Sequence, residues 1–328
     1  MGGAPSSILA ERLIKPPPTP TDLPKPSRTF ALDLITRRAA GGLSLEAYDT
    51  GTLHVRGEVV SALKSWHAKL KLQVPAFLIR HPKEGMILFD TGLSTTTQRS
   101  DNLLLELVDP AQPQWTSKAG QDLPSQLKEA GIDSSEIRYI VLSSMREEHI
   151  GTISQFSSAT IIATRVEYEA AKINKNKEIS DKIAQIPESR FKLISMDEKP
   201  TLGPFVHAID LFGDGTIYLT DLAGRTSGSM GALVLLDPGP VMLAGDAALV
   251  VDNYLDLALP LRGQVEDLGL FWRSLHILRA LREAVPRTAV VPGHELRALR
   301  VAMNASVLIR EFSVKRRFSR REKPPRVR

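Results

Sequence analysis

The chain has 328 residues, of which 42% are hydrophobic and 24% charged, a balance typical of a globular protein. No stretch approaches the roughly 18 apolar residues of a membrane span, and the first thirty residues lack the apolar core of a signal peptide, so we expect no transmembrane segment. The absence of cysteine excludes disulfides, thiolate metal ligands and a cysteine nucleophile. Composition indicates neither the compartment nor the oligomeric state.

The net charge of +5 comes from the C-terminus. Residues 315–328 hold eight Lys or Arg and one Glu, a net charge of +7, which leaves −2 for the rest of the chain. A basic arm of this kind can touch phosphates, but it contains one aromatic residue and no partner motif. We therefore favour a solvated tail, and expect no nucleic-acid partner apart from contacts that this tail could make.

The N-terminal part is predicted to be a proline-rich leader that lies on the body or is mobile. Its prolines favour an extended backbone and exclude a continuous helix; they are Pro16, Pro17, Pro18, Pro20, Pro24 and Pro26. The sequence contains no internal repeats. We therefore predict a leader over 1–42, one domain over 43–312 and a basic tail over 313–328.

Short apolar runs bounded by Gly, Pro or Asp predict buried strands along the domain. In chain order they cover 74–80, 86–89, 139–142, 160–163, 206–211, 216–219, 232–236, 241–244 and 289–291. Helical spacing of apolar residues predicts helices over 123–130, 165–176 and 268–283. Strands mixed with helices in this way indicate sheets sandwiched between helices.

Polar side chains stand where five of these apolar runs end. A strand fixes the backbone there and the following loop exposes the side chain, so such positions are candidates for a site. They are Asp90, then Ser144, Arg146, Glu148 and His149 together, then Arg225, Asp246 and His294. These residues must converge for common chemistry, which favours one fold over two domains.

The amino-acid sequence at these junctions resembles that of the metallo-β-lactamase superfamily, in particular its N-acyl-homoserine-lactonase-like branch. The similarity runs over roughly 45–299 and includes VPAFLIRHPKEGMILFDTGL, IDSSEIRYIVLSS, GDGTIYL and PRTAVVPGHE. It implies an α/β (α+β) fold, the αββα sandwich of two mixed sheets flanked by helices, with the site at the sheet edges. The strand and helix pattern predicts the same layers independently.

The resemblance also implies that the metal-binding motif is degenerate. Where relatives have Thr-His-x-His-x-Asp-His-x-Gly, residues 143–151 read Ser-Ser-Met-Arg-Glu-Glu-His-Ile-Gly. The three histidines of the family's first metal site correspond here to Ser144, Arg146 and Arg225. The other family positions keep metal-ligand chemistry, as Glu148, His149, Asp246 and His294.

An arginine is permanently protonated and offers no lone pair, so a metal cannot bind at the first site. Two guanidinium groups in that place would supply a similar positive charge. We expect Arg146 and Arg225 to pair with Glu148, Asp246 and also Asp90. In the structural interpretation this cluster of ion pairs only stabilises the fold. In the functional one a free guanidinium face, with Ser144 beside it, binds a carboxylate, phosphate or developing oxyanion.

If catalysis persists, His149 or His294 is the candidate general base. Arg146 and Arg225 would stabilise the oxyanion, and Glu148 and Asp246 complete the set of candidate catalytic residues. Asp90 would support the site from behind or merely cap its strand. Ser144 as a nucleophile is a lesser alternative.

A one-metal alternative uses Glu148, His149, Asp246 and His294, which could hold one Zn, Fe or Mn ion. Glu is longer than the family's Asp, and neighbouring arginines repel a cation and compete for its carboxylates. We therefore favour no metal cofactor.

Three functions stay open, all with a small-molecule partner. The favoured one is a metal-free, repurposed enzyme or pseudoenzyme that binds an anionic or carbonyl compound. The alternatives are a mononuclear metal-dependent hydrolase of lactones or esters and a non-catalytic ligand-binding or regulatory module. The sequence does not identify the substrate.

Overall fold

The computed structural model describes residues 15–36, 43–95, 114–237, 239–300 and 307–310. Nine helices and thirteen strands, with three short 3-10 turns, make up these parts. The basic tail over 313–328 lies outside the described residues. Among the helices of the described parts, none has the length and apolar character needed to cross a membrane.

The first sheet contains eight strands. Seven stand in the order β13-β1-β2-β3-β5-β6-β7, and β4 pairs beside them with β1. Their bounds are β1 Ser44–Arg56, β2 Lys69–His81, β3 Gly85–Phe89, β4 Gln114–Thr116, β5 Ile137–Val141, β6 Thr160–Thr164, β7 Phe191–Ile194 and β13 Val307–Arg310. The β1–β2–β3 part is antiparallel and the β3–β5–β6–β7 part is parallel, so the sheet is mixed.

The second sheet contains five strands in the order β12-β11-β10-β9-β8. Their bounds are β8 Ala208–Asp210, β9 Ile217–Asp221, β10 Met230–Leu235, β11 Pro240–Gly245 and β12 Ala289–Pro292. The pair β11–β12 is parallel and the other pairs are antiparallel. Every residue of β10, β11 and β12 is buried, as expected for strands covered on both faces.

Helices cover the outer faces of both sheets. The helices are Arg28–Thr36, Gly57–Val60, Leu123–Glu129, Glu147–Ile150, Arg165–Lys172, Lys177–Ala184, Val251–Leu255, Leu268–Ala284 and Arg297–Arg300. One apolar cluster, with Phe77 and Leu243, fills the space between the sheets. A second packs helices against the outside of the first sheet, and a third, around Phe271, packs them against the second sheet. The αββα layering expected from the sequence is confirmed.

All nine predicted strands are present, with shifts of up to five residues at their ends. The predicted helix over 165–176 is too long, because the helix ends at Lys172 and the next one, Lys177–Ala184, begins beyond the predicted range. The reason is Asn176, whose side chain accepts a hydrogen bond from the Glu178 amide and so begins a new helix. Strands β1, β4, β7 and β13 were not predicted.

The described part of the leader lies on the body. The Trp272 indole donates a hydrogen bond to the carbonyl of Pro18 at 3.2 Å, and Arg273 pairs with Asp22 at 2.6 Å. Phe30 and Leu34 are buried in the cluster outside the second sheet. These contacts attach the leader to the helix Leu268–Ala284.

The same helix positions the loop between β9 and β10. The Ser274 hydroxyl donates to the Ala223 carbonyl at 2.7 Å, and the Asp267 amide donates to the Gly224 carbonyl at 3.1 Å. Gly224 has φ +131, and a methyl group there would overlap the Phe271 backbone. The loop therefore lies in direct contact with the helix, and it presents Arg225 towards the interior.

We expect Phe271→Ala to lower the free energy of unfolding by about 3–5 kcal/mol, because a fully buried ring leaves a cavity behind. Urea denaturation measures the change. The matched control is Leu270→Ala on the same helix; Leu270 is 40% exposed, so its change should stay within about 0.5 kcal/mol. Equal losses for the two variants would contradict this packing.

Candidate active site with two arginines

The candidate residues meet at one edge of the sandwich. Asp90 follows β3, and residues 143–149 follow β5 of the first sheet. Arg225 lies in the turn between β9 and β10, and Asp246 and His294 follow β11 and β12 of the second sheet. The Met230 amide donates to the Ser143 carbonyl at 2.9 Å, so a backbone hydrogen bond joins the two sheets here.

Asp90 fixes the ring of His149. It has φ +61, an uncommon backbone conformation for a residue with a side chain. Its Oδ1 accepts from the Ser143 amide at 2.7 Å, and its Oδ2 accepts from the Ser143 hydroxyl at 2.7 Å and faces His149 Nδ1 at 2.8 Å. Because a carboxylate only accepts, His149 Nδ1 must carry a proton. The other ring nitrogen, Nε2, therefore points at the centre.

Asp246 lies at the middle of the site with a side chain that is not exposed at all. Its Oδ2 is 3.3 Å from Arg225 Nε and 3.5 Å from Arg146 Nε. Its Oδ1 is 3.5 Å from His149 Nε2 and 3.3 Å from His294 Nε2, without hydrogen-bond geometry to either ring. One carboxylate thus serves two guanidinium groups and two imidazoles.

Arg146 and Glu148 form the shortest arginine–carboxylate pair of the centre. Arg146 Nε donates to Glu148 Oε1 at 2.8 Å, and the Glu148 side chain is almost fully buried. Arg146 is the N-cap of the short helix Glu147–Ile150, so the two residues lie at the start of one helical turn. Arg225, by contrast, is 5% exposed and reaches the carboxylates from the opposite sheet.

Both arginines bind the carboxylates through Nε. Arg146 donates this way to Glu148, and Arg225 to Asp246. Within the described parts of the chain, neither arginine makes a hydrogen bond through its two Nη nitrogens. The Arg146 side chain is 30% exposed. A planar pair of donors is therefore left over for another acceptor.

Arg146 lines a cleft of about 250 Å³, and Arg225 is not among the lining residues. The lining is partly apolar, with Trp115, Met145, Ala171 and Ile179, and partly charged, with Arg146, Glu147, Glu148, Glu167 and Glu266. Trp115 also packs against the His294 ring, at 5.7 Å between ring centroids. The cleft is smaller than typical ligand pockets, which enclose about 300–1,000 Å³.

The pKa shifts describe a centre that neutralises itself. Burial alone would lower the pKa of His149, but the carboxylates of Asp90 and Asp246 raise it well above its ordinary value. Burial alone would raise the pKa of Asp246, but the imidazoles of His149 and His294 hold it well below its ordinary value. Three carboxylates, Asp90, Glu148 and Asp246, thus face two guanidinium groups and one imidazolium.

The two arginines differ in their surroundings. Burial alone would lower the pKa of Arg146, but Glu148 and Asp246 raise it above its ordinary value. Burial and the neighbouring charge of Arg146 lower the pKa of Arg225 to about 10. Both groups are protonated at neutral pH. Burial alone would raise the pKa of Glu148, but Arg146 lowers it, so this carboxylate is ionised.

Part of the site has the chemistry of a metal centre. One ligand atom each from Glu148, Asp246 and His294 lies within 4.8 Å of the others, and all three residues are buried. His149 does not belong to this group, although its unpartnered Nε2 faces Asp246. These donors suit one Zn, Fe or Mn ion. Arg146 and Arg225 offer no ligand for a second ion.

One expectation about a single residue is wrong. Asp90 does not pair with an arginine; its oxygens are taken by Ser143 and His149, because β3 ends behind the His149 ring. Ser144 is buried, and its hydroxyl makes no hydrogen bond within the described residues. The pairing of Arg146 and Arg225 with Glu148 and Asp246 is as predicted.

Sequence reasoning missed two contributors to the site. The carbonyl of Gln73 accepts a hydrogen bond from His294 Nδ1 at 3.0 Å, a backbone contact with no sequence signal. Glu167 follows β6 in the first turn of a helix, and a search of polar residues at every strand end would have found it.

The chain is similar in sequence to known proteins of one superfamily. The sequence profile of the metallo-beta-lactamase superfamily matches residues 71–294. The N-acyl homoserine lactonase AttM of Azorhizobium caulinodans is 28% identical over 274 residues, which cover 77% of this chain and 93% of the relative. An N-acyl homoserine lactonase of Bacillus cereus is 27% identical over 239 residues, 69% of this chain and 83% of the relative.

Solved structures show the same fold. An N-acyl homoserine lactone hydrolase with the product N-hexanoyl-L-homoserine at its catalytic metal centre superimposes with a TM-score of 0.63 at 20% identity, over 78% of this chain and 95% of the other. AidC, a dizinc quorum-quenching lactonase, gives a TM-score of 0.55 at 15% identity, over 77% of this chain and 88% of the other.

We expect Asp246→Asn to lower the free energy of unfolding of the chelator-treated protein by about 3–5 kcal/mol, because one buried and one half-buried guanidinium group lose their shared counter-charge. Chemical denaturation in chelator measures this. The control Glu283→Gln changes an exposed ion pair with Arg279 and should shift stability by no more than about 0.5 kcal/mol. A stabilised Asp246→Asn protein would instead indicate carboxylates that mainly repel one another.

Proposed function

This chain belongs to the metallo-beta-lactamase superfamily, and from that membership we propose that it is a lactonase-like protein whose degenerate centre uses Arg146 and Arg225 in place of the first metal ion. Its ligand is a small molecule with a carboxylate or a polarised carbonyl. The proposed organisation is a leader over 1–42, one domain over 43–312 and a basic tail over 313–328.

The observation that carries this proposal is the position of the two guanidinium groups. Both Nε atoms lie within 3.5 Å of one Asp246 oxygen. An ion that used this oxygen would have to displace two fixed cations, and their repulsion would act against it. The first-site residues thus supply permanent charge where relatives of known structure, such as AidC, are dizinc proteins.

The nature of the ligand follows from the unused donors. A guanidinium fork makes two parallel hydrogen bonds to a carboxylate, and the cleft in front of Arg146 has apolar walls for a hydrocarbon part. A related structure holds N-hexanoyl-L-homoserine, which contains a carboxylate and an acyl chain. We propose a ligand of the same chemical class for this chain, an acylated compound with one anionic or carbonyl head.

Catalysis, if it occurs, would use the residues that surround Asp246. His149, held by Asp90, presents Nε2 to the centre, and as an imidazolium it can donate a proton there. His294 is the alternative acid or base, and Arg146 and Arg225 would stabilise a developing oxyanion. Ser144 contributes a buried hydroxyl without a partner in the described chain. A protein that only binds its ligand would use the same contacts.

One observation favours a second candidate, a mononuclear metal-dependent hydrolase of lactones or esters. Glu148, Asp246 and His294 form a buried donor set of suitable size and chemistry. An ion held there would act as a Lewis acid towards a carbonyl group. Arg146 opposes this candidate because it already binds Glu148 and lies 3.5 Å from Asp246.

We expect the natural protein to bind N-hexanoyl-L-homoserine in the presence of chelator, and Arg146→Gln to weaken this binding at least about tenfold, or about 1.4 kcal/mol. Arg146→Lys keeps the charge but loses the fork, so it should be intermediate. Isothermal titration calorimetry measures both. Arg138→Gln, which alters an exposed arginine, is the matched control. Binding of N-hexanoyl-L-homoserine that is lost in chelator and restored by zinc would contradict the metal-free proposal.

Chelation followed by zinc addition separates the two candidates. The metal-free proposal predicts that the thermal midpoint and any turnover of N-hexanoyl-L-homoserine lactone stay unchanged by either treatment. The mononuclear candidate predicts that zinc raises both and that Glu148→Gln abolishes the gain. Recovery of the ligand intact, with no turnover under either condition, favours a binding or regulatory module.

A further inference from the structure

Glu167 is a buried carboxylate that the proposed chemistry leaves unassigned. It lies in the first turn of the helix Arg165–Lys172, which begins at Thr164, where the hydroxyl accepts from the Glu167 amide. The residue is 5% exposed, although ordinary glutamates at helix starts face the solvent. A carboxylate in such a place needs several hydrogen bonds to offset its lost hydration.

Those hydrogen bonds come from two different loops. Glu167 Oε1 accepts from the Met145 amide at 2.6 Å. Glu167 Oε2 accepts from the Thr226 hydroxyl at 2.7 Å and from the Gly228 amide at 3.2 Å. Met145 directly precedes Arg146, and Thr226 directly follows Arg225. One side chain therefore joins the loops that carry the two arginines.

The neighbouring contacts stiffen this connection. The Thr164 hydroxyl, at the start of the same helix, donates to the Gly228 carbonyl at 2.8 Å. The hydroxyls of Thr226 and Ser229 lie 2.6 Å apart. A methyl group at Gly228 would overlap the Glu167 backbone, so the loop approaches the helix as closely as a glycine allows. The loop after β9 thus has little freedom to move away from Glu167.

We propose that Glu167 is the positioning residue that holds Arg146 and Arg225 at the distance at which both reach the Asp246 carboxylate. This inference rests on the proposed function of the arginine pair. The first sheet supplies Arg146 and the second supplies Arg225, so without a link their spacing would follow any relative movement of the two sheets. Glu167 ties both loops to one rigid helix.

Its charge acts in the same direction as its hydrogen bonds. The negative charge of Glu167 adds to the field that keeps Arg146 protonated. Burial raises the pKa of Glu167, and its hydrogen bonds from Met145, Thr226 and Gly228 act in the opposite direction. These three donors hold the carboxylate oxygens towards the two loops. Positioning therefore accounts for its contacts better than direct chemistry does.

The first test measures the reactivity of Arg225 with phenylglyoxal, followed by peptide mass spectrometry. Arg225 is nearly buried in the natural protein and should react slowly, whereas Arg138, whose side chain is 53% exposed, should react fast. In Glu167→Ala we expect the Arg225 rate to rise about tenfold while the Arg138 rate stays constant. An unchanged Arg225 rate, or equal acceleration of every arginine, would overturn the proposal.

Graded variants keep the test valid if Glu167→Ala folds poorly. Glu167→Gln retains an acceptor for one loop and places an amide donor against the other, so its effect on Arg225 should lie between those of alanine and the natural residue. Glu169→Gln removes the same charge from the exposed side of the same helix and should change nothing. A Glu167→Gln protein that behaves like Glu169→Gln would contradict the positioning role.

The second readout is affinity for N-hexanoyl-L-homoserine in chelator. We expect Glu167→Ala to weaken binding about tenfold and Glu167→Gln to restore part of it. If the natural protein does not bind this compound at all, the proposed function fails, but the phenylglyoxal rates still decide whether Glu167 holds the arginines. If binding is normal and the rates do not differ, only the positioning inference fails.

Discussion

The shared carboxylate of Asp246 is the constraint on which the centre depends. A fully buried carboxylate is costly unless other groups compensate its charge, and here two guanidinium groups and two imidazoles surround it at 3.3–3.5 Å. No residue of this cluster can be removed without leaving a buried charge behind. The arrangement therefore ties the ends of strands from both sheets to a single charged point.

The fold provides the means to bring these charges together. Asp90 and His149 come from the end of the parallel part of the first sheet, whereas Arg225, Asp246 and His294 come from the second. The helix Leu268–Ala284 fixes the Arg225 loop from outside, and Glu167 fixes it from the side. The fold that positions these residues superimposes on an N-acyl homoserine lactone hydrolase structure.

Most of the strands and the main ion pair of the site could be predicted from the sequence, for physical reasons. Buried strands such as β10 and β11 are continuous apolar runs, and the pairing of Arg146 with Glu148 follows from opposite charges two residues apart at a strand end. Strand β1 escaped prediction because Glu46, Asp49 and His54 interrupt its apolar pattern. The break at Asn176 is a choice between continuing a helix and capping a new one, and local spacing does not decide it.

The finer geometry of the site lay beyond sequence reasoning for a different reason. Whether Asp90 would face an arginine or an imidazole depends on the angle at which β3 ends, and the φ of +61 at Asp90 is visible only in three dimensions. The role of Glu167 likewise depends on two loops that are distant in sequence, at Met145 and at Thr226. The sequence identified which residue types could form the site, but it did not identify the residues that each of them contacts.

Under the proposed function, the fixed guanidinium groups of Arg146 and Arg225 occupy the place of a removable metal ion. Anomalous X-ray diffraction at the zinc absorption edge, from crystals of the full chain soaked in zinc, tests it most directly. The account predicts no anomalous peak among Glu148, Asp246 and His294, with Arg146 Nε and Arg225 Nε still beside Asp246. A zinc peak at that position, with both guanidinium groups turned towards solvent, would contradict it.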